Sequence, residues 1–164
     1  MDTERIARLE RLMAAHGTDI IRLCALQLGD KDQAEDAAQD TFVKAWRALP
    51  RFKGECSEKT WLFRIAINTC RDYQRTGWFR HMDRRLTPEE LSIPADAPQV
   101  DMGLLDRVHR LPAREREVIV MHYWNDMPPE EIAALLHIDR ATVFRRLQRG
   151  RRRLKIELEG GDGA

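Results

Sequence analysis

The sequence predicts an all-α protein of two small helical domains joined by a flexible acidic linker. Three observations carry that expectation. Apolar residues recur at three and four spacing through most of both halves. No stretch alternates convincingly with the two-residue period of a strand. Between the halves, residues 86–100 contain Pro88, Pro94 and Pro98 and lose helical periodicity.

The elements follow in order. Residues 3–15 and 17–28 read as two helices, through Ile6, Leu9 and Met13 and then Ile20, Leu23, Leu26 and Leu28, with Gly17 and Gly29 as punctuation. Asp30 reads as the N-cap of a helix to about Leu49, stopped by Pro50; Ala34, Ala38, Phe42, Ala45 and Leu49 form its inner face. Residues 51–58 form a loop around Gly54, and Ser57 or Glu58 opens a helix to about Arg75. Four helices follow, at about 102–110, 113–124, 128–136 and 139–156, with Pro112 and Pro128 at helix starts. These give a domain at 1–77, a linker at 78–101, a second domain at 102–159 and a disordered tail at 160–164.

Net charge is only +1, but the charge is segregated. Residues 30–40 carry net −4, residues 59–85 net +5, and residues 86–106 net −5. From Arg140 to Lys155 there are eight Arg or Lys and no acid, while Val143, Leu147 and Leu154 keep one buried seam. Such segregation points to nucleic-acid and protein partners together. Cys24, Cys56 and Cys70 form no metal-binding spacing and suit a reducing cytosol; only Cys56, in a loop, reads as exposed. No apolar run is long enough to span a membrane. No metal, cofactor or catalytic residue is expected, since phosphate-binding glycine loops, paired catalytic carboxylates and nucleophile elbows are all missing from the sequence.

Two short helices on a tight connection, the second strongly basic, make the pattern of a helix-turn-helix that reads duplex DNA. On the basic helix, Arg140, Ala141, Thr142, Arg145 and Arg146 are placed for base edges, Phe144 for a thymine methyl group or a wider hydrophobic seam, and Arg149, Arg152 and Arg153 for phosphate. Asp36, Gln39, Asp40 and Val43 fall at i, i+3, i+4 and i+7, an acidic stripe with one apolar residue. It suits a basic helical partner; a solvated face is the plainer alternative. Lys53, Gly54, Glu55, Cys56 and Ser57 could enclose an extruded base. Arg64, Asn68, Arg71 and Arg75 line one polar face of the next helix. Trp61 reads as core, and Phe52 stays open.

Two blocks carry a family resemblance. One runs from Leu28-Gly-Asp-Lys-Asp-Gln-Ala-Glu-Asp to Leu49-Pro-Arg-Phe52 and on to Thr60-Trp-Leu-Phe-Arg-Ile-Ala-Ile-Asn68. The other comprises Leu111-Pro-Ala-Arg-Glu-Arg-Glu-Val-Ile-Val, Glu130-Glu-Ile-Ala-Ala-Leu-Leu and Ala141-Thr-Val-Phe-Arg-Arg-Leu. Together they resemble the extracytoplasmic-function (ECF) subfamily of bacterial RNA polymerase sigma factors, over residues 16–156.

The resemblance implies a region 2 bundle and a region 4 helix-turn-helix. It implies a cytoplasmic alternative sigma factor, nucleoid-associated when bound to polymerase, that directs core RNA polymerase to promoters and helps to melt the −10 element. By resemblance, Asp36, Gln39, Asp40 and Val43 meet the clamp coiled coil. The set Lys53–Ser57, Arg64, Asn68, Arg71 and Arg75 holds −10 DNA, and the basic helix meets the −35 element and the flap. An anti-sigma factor is the implied regulator. The acidic linker is implied to thread the polymerase near the template strand.

Three positions depart from the family pattern. His137 stands where Gly is usual, Met127-Pro128-Pro129 replaces a Ser or Thr cap, and Phe144 is large. They bear on the −35 sequence read. A helix-turn-helix regulator that is no polymerase subunit would explain residues 112–155 but neither the acidic stripe nor the Trp61–Asn68 block.

Overall fold

The computed structural model describes residues 2–76 and 102–162; residues 78–101, the expected linker, lie outside the described residues. Among the described residues there are seven α-helices, one 3-10 turn and no strand. The all-α expectation is met.

The N-terminal bundle is α1 (Asp2–Leu28), α2 (Lys31–Ala48) and α3 (Glu58–Arg75). The two helices expected before Gly29 are one. Gly17 lies inside α1 with nothing near the position of a Cβ, so no packing contact demands its small size. A single interior glycine costs only about 1 kcal/mol. The buried seam of Leu12, Ile20, Leu23 and Cys24 runs past it and holds the helix together. Gly29 ends α1 with φ +73, a left-handed conformation that glycine adopts without strain.

Both expected caps form. Gln33 N donates to Asp30 Oδ1 at 3.1 Å, and Thr60 N donates to Ser57 Oγ at 3.0 Å. Ala34, Ala37, Ala38 and Ala45 give α2 a face of small buried side chains against its neighbours. In α3 the buried apolar residues are Leu62, Phe63, Ala66, Ile67 and Cys70. Trp61 is half-buried and stacks on Phe52 with ring centroids 4.8 Å apart, so both aromatics pack the loop onto the bundle.

The C-terminal bundle is α4 (Met102–Arg110), α5 (Ala113–Tyr123), α6 (Pro129–Leu136) and α7 (Arg140–Asp162). Helix α7 outruns its expected end, so residues 160–162, expected as tail, are helical. Extending an existing helix adds a hydrogen bond per residue without a new nucleus. Met127, Ile132, Leu135, Val143 and Leu147 are buried between α6 and α7, with α5 beneath. His137 closes α6 at φ 57, ψ 43; the connection is left-handed without glycine. Thr142 N donates to Asp139 Oδ1 at 2.8 Å and caps α7.

Helices α5 and α7 cross at Gly150. A Cβ there would lie 2.7 Å from Ile119 Cγ1, and Ile119 is fully buried. Gly150→Val should therefore lower unfolding free energy by about 1–3 kcal/mol, read from urea melts, through overpacking. An unchanged midpoint would show that α7 can shift away from α5.

Candidate nucleic-acid interface

The acidic stripe is on the surface. Asp36, Gln39, Asp40 and Val43 are all exposed on α2, and Val43 retains 47% of its area. Tyr73 Oη donates to Asp40 Oδ2 at 2.6 Å, and burial with this carboxylate raises the phenol pKa. Beside the stripe an apolar groove of about 800 Å³ runs between α1 and α2, lined by Ile6, Met13, Ile21, Phe42, Val43 and Trp46 among others. Exposed apolar residues in contiguity, rimmed by acids, form a surface that water solvates poorly.

The loop expected to enclose a base is open to solvent. Gly54 has φ +79, Lys53 and Glu55 are exposed, and Lys53 N donates to Glu55 Oε2 at 3.3 Å. Cys56 is half-exposed, and Ser57 is spent as the α3 cap. On the α3 face the residues fare differently. Asn68 is exposed, and Arg75 pairs with Asp72 on its own helix. Arg64 and Arg71 instead reach the C-terminal bundle. Arg64 Nε donates to Leu135 O and its Nη2 to Ala134 O, each at 2.8 Å. Arg71 makes a two-pronged pair with Glu117, 2.8 Å on each prong, which raises the guanidinium pKa chiefly through the hydrogen bonding.

Sequence reasoning missed the residues that receive these arginines. Glu115, Arg116 and Glu117 are consecutive in α5 and all buried. Arg116 Nε donates to Gln27 Oε1 at 3.1 Å, and its Nη1 donates to His109 O at 2.9 Å and Leu111 O at 3.2 Å. Glu115 pairs with Arg153 at 3.2 Å. Asn125 Nδ2 donates to Asp19 O at 3.3 Å, a further tie between bundles.

On α7, Ala141, Phe144, Arg145 and Arg149 are exposed. Arg140 pairs with Glu130 at 3.0 Å and lies 5.1 Å over the Phe144 ring; Arg145 Nη2 donates to Thr142 Oγ1 at 3.3 Å. Arg146 is set apart from that row. Its Nη1 is buried with no hydrogen-bond partner, and burial followed by repulsion from Arg114 lowers its pKa. Among the described residues no helix is long and apolar enough to cross a membrane, and no group of acids, Cys and His could hold a metal ion.

Comparison with known proteins matches both bundles. The family model "Sigma-70 region 2" matches residues 12–80, and "Sigma-70, region 4" matches residues 102–154. The chain is 31% identical to the ECF RNA polymerase sigma factor SigL of Mycobacterium tuberculosis over 160 residues, covering 93% of this chain and 90% of SigL. It is 30% identical to the ECF factor SigW of Bacillus subtilis over 157 residues, covering 85% of this chain and 82% of SigW. Among solved structures it resembles the sigma factor RpoE of Bartonella quintana in complex with the anti-sigma factor NepR. That likeness has TM-score 0.73 and 26% identity, over 92% of this chain and 95% of RpoE.

Two outcomes follow from the geometry. The His109 ring sits against Gly29, so close that a Cβ there would lie 2.5 Å from it, and its Nδ1 has no partner. Burial first, then Arg116, push its pKa below 6.5, with Asp106 opposing. Above pH 6.5 the ring is neutral whether packed or free; below it the free ring takes up a proton that the packed ring resists. Thermal stability should fall between about pH 7.5 and 5.5, more steeply in the wild type than in His109→Gln. Parallel slopes would discount the ring. Separately, Cys56 should be the thiol that alkylates in the folded chain, while buried Cys24 and Cys70 wait for unfolding, as mass spectrometry would show.

Proposed function

The chain belongs to the ECF sigma factors, the alternative promoter-specificity subunits of bacterial RNA polymerase controlled by anti-sigma factors, and we propose how its surfaces divide that task. The observation that carries the assignment is the exposed stripe of Asp36, Gln39, Asp40 and Val43, continuous with the apolar groove on α1 and α2. An amphipathic basic partner would bury Val43 and pair with the carboxylates. In this reading that partner is the clamp coiled coil of core polymerase. Electrostatic complementarity of this kind sets encounter rate and specificity.

The solvent-open loop Lys53–Ser57 and exposed Asn68 would then take bases of the −10 strand, with Arg64, Arg71 and Arg75 as phosphate contacts. A protein without a fuel molecule must recover unstacking energy in this way. Arg140, Ala141, Thr142, Phe144, Arg145, Arg146 and Arg149 would serve the −35 duplex. The row Ala141, Phe144 and Arg145 leads, being exposed at the start of α7, with the Phe144 ring available to a thymine methyl. The polymerase flap is the remaining partner of this bundle. The factor would work in the cytoplasm, bound to polymerase at the nucleoid. The RpoE structure, a sigma chain held by an anti-sigma factor, supports the same mode of control here.

Run-off transcription with core polymerase on genomic promoter fragments tests the assignment. Specific transcripts should require the protein and disappear with Asp36→Arg/Asp40→Arg. Their persistence in that double variant would move polymerase docking elsewhere. Arg145→Ala should cost about 1–3 kcal/mol of discrimination at one −35 base pair; a uniform loss across sequences would make Arg145 a phosphate contact.

A further inference from the structure

Two of the cations assigned to the −10 strand, Arg64 and Arg71, already have partners in the C-terminal bundle. Arg71 grips both oxygens of Glu117, and the Glu117 side chain is 3% exposed. The fork geometry is the one a guanidinium uses on a phosphate. Arg64 spends Nε and Nη2 on the carbonyls of Leu135 and Ala134, at the C-terminal end of α6. Those carbonyls carry the negative end of the helix dipole. Lys59 faces Glu131 at 3.9 Å. So three cations of α3 meet anionic or partly anionic groups of the C-terminal bundle.

We propose that the C-terminal bundle is an internal competitor of the −10 strand, with Glu117 standing in for a phosphate on Arg71 and the α6 carbonyls doing the same on Arg64. This rests on the reading that Arg64 and Arg71 contact the −10 strand. In the closed chain the strand and the C-terminal bundle exclude each other. Opening frees both arginines at once. A factor free of polymerase then has a weakened hold on single-stranded nucleic acid, because its apparent affinity is scaled by the open fraction. Binding to polymerase, which must separate the bundles to reach two promoter elements, restores the site.

The test uses the full chain. Its probe is a fluorescent single-stranded DNA of random sequence, about 12 nucleotides long. Glu117→Gln keeps the side-chain size and removes the charge. Glu131→Lys, on the half-exposed rim of α6, repels Lys59 without touching the buried pair. Both should bind the probe more tightly than wild type, Glu117→Gln by about fivefold to tenfold. Both should also raise the radius of gyration in small-angle scattering above the value of about 15 Å expected for a compact chain of this length. Adding Arg64→Ala/Arg71→Ala to Glu117→Gln should abolish the gain.

Equal affinity and equal radius in wild type and both folded variants would overturn the proposal. So would a gain that survives Arg64→Ala/Arg71→Ala, since neither freed arginine would be its cause. Run-off transcription in parallel separates this from the promoter assignment. Specific transcripts from the wild type, together with unchanged probe binding in the variants, would remove the competitor and leave the sigma-factor reading standing. Transcripts insensitive to Arg64→Ala/Arg71→Ala would instead remove the −10 assignment, and the competitor with it.

Discussion

Helix α5 is charged where it has no access to water, and the tertiary structure is organised around that constraint. Glu115, Arg116 and Glu117 occupy three successive positions, 100° apart around the helix, and each is buried. A buried charge is tolerable only when paired or hydrogen-bonded. Three directions therefore need three partners, and each comes from a different place. Glu115 is met by Arg153 from α7, Arg116 by Gln27 from α1 and the carbonyls ending α4, and Glu117 by Arg71 from α3. The same helix supplies apolar Val118, Ile119 and Met121 to the core. It packs against its own α7 and also meets the N-terminal bundle.

The two bundles share one apolar core, and these polar contacts are added to it. Polar seams separate at low cost in water, because each group regains solvent hydrogen bonds when it opens. Asn125 on the Asp19 carbonyl and Arg64 on the α6 carbonyls are contacts of this exchangeable kind.

Local signals were legible in the sequence and distant pairings were not. Asp30 and Ser57 could be read as caps because a cap is decided within three residues of itself. His137 could be read as a left-handed helix end for the same reason. The surface position of the acidic stripe followed from its offset against the alanine face of α2. Gly17 misled, since a glycine breaks a helix only where no seam runs past it. Gly150 went unnoticed, because its role depends on where Ile119 lies in another helix. The fate of Arg64 and Arg71 was hidden for a deeper reason. Their partners are 70 and 46 residues away or more, and the Arg-Glu-Arg-Glu run of α5 looks like an ordinary solvated face until tertiary packing buries it.

The contact between Gly29 and His109 limits how freely the halves of this protein can be exchanged. A Cβ at position 29 would overlap the imidazole, so the N-terminal bundle fits beside this C-terminal bundle only with a bare backbone at that corner. A hybrid factor joining region 2 of one chain to region 4 of another would treat the two as independent modules. Here compatibility is a property of the pair: a donor bundle bearing any side chain at that corner, or lacking a carboxylate opposite Arg71, would bring its promoter preference without the fit between halves.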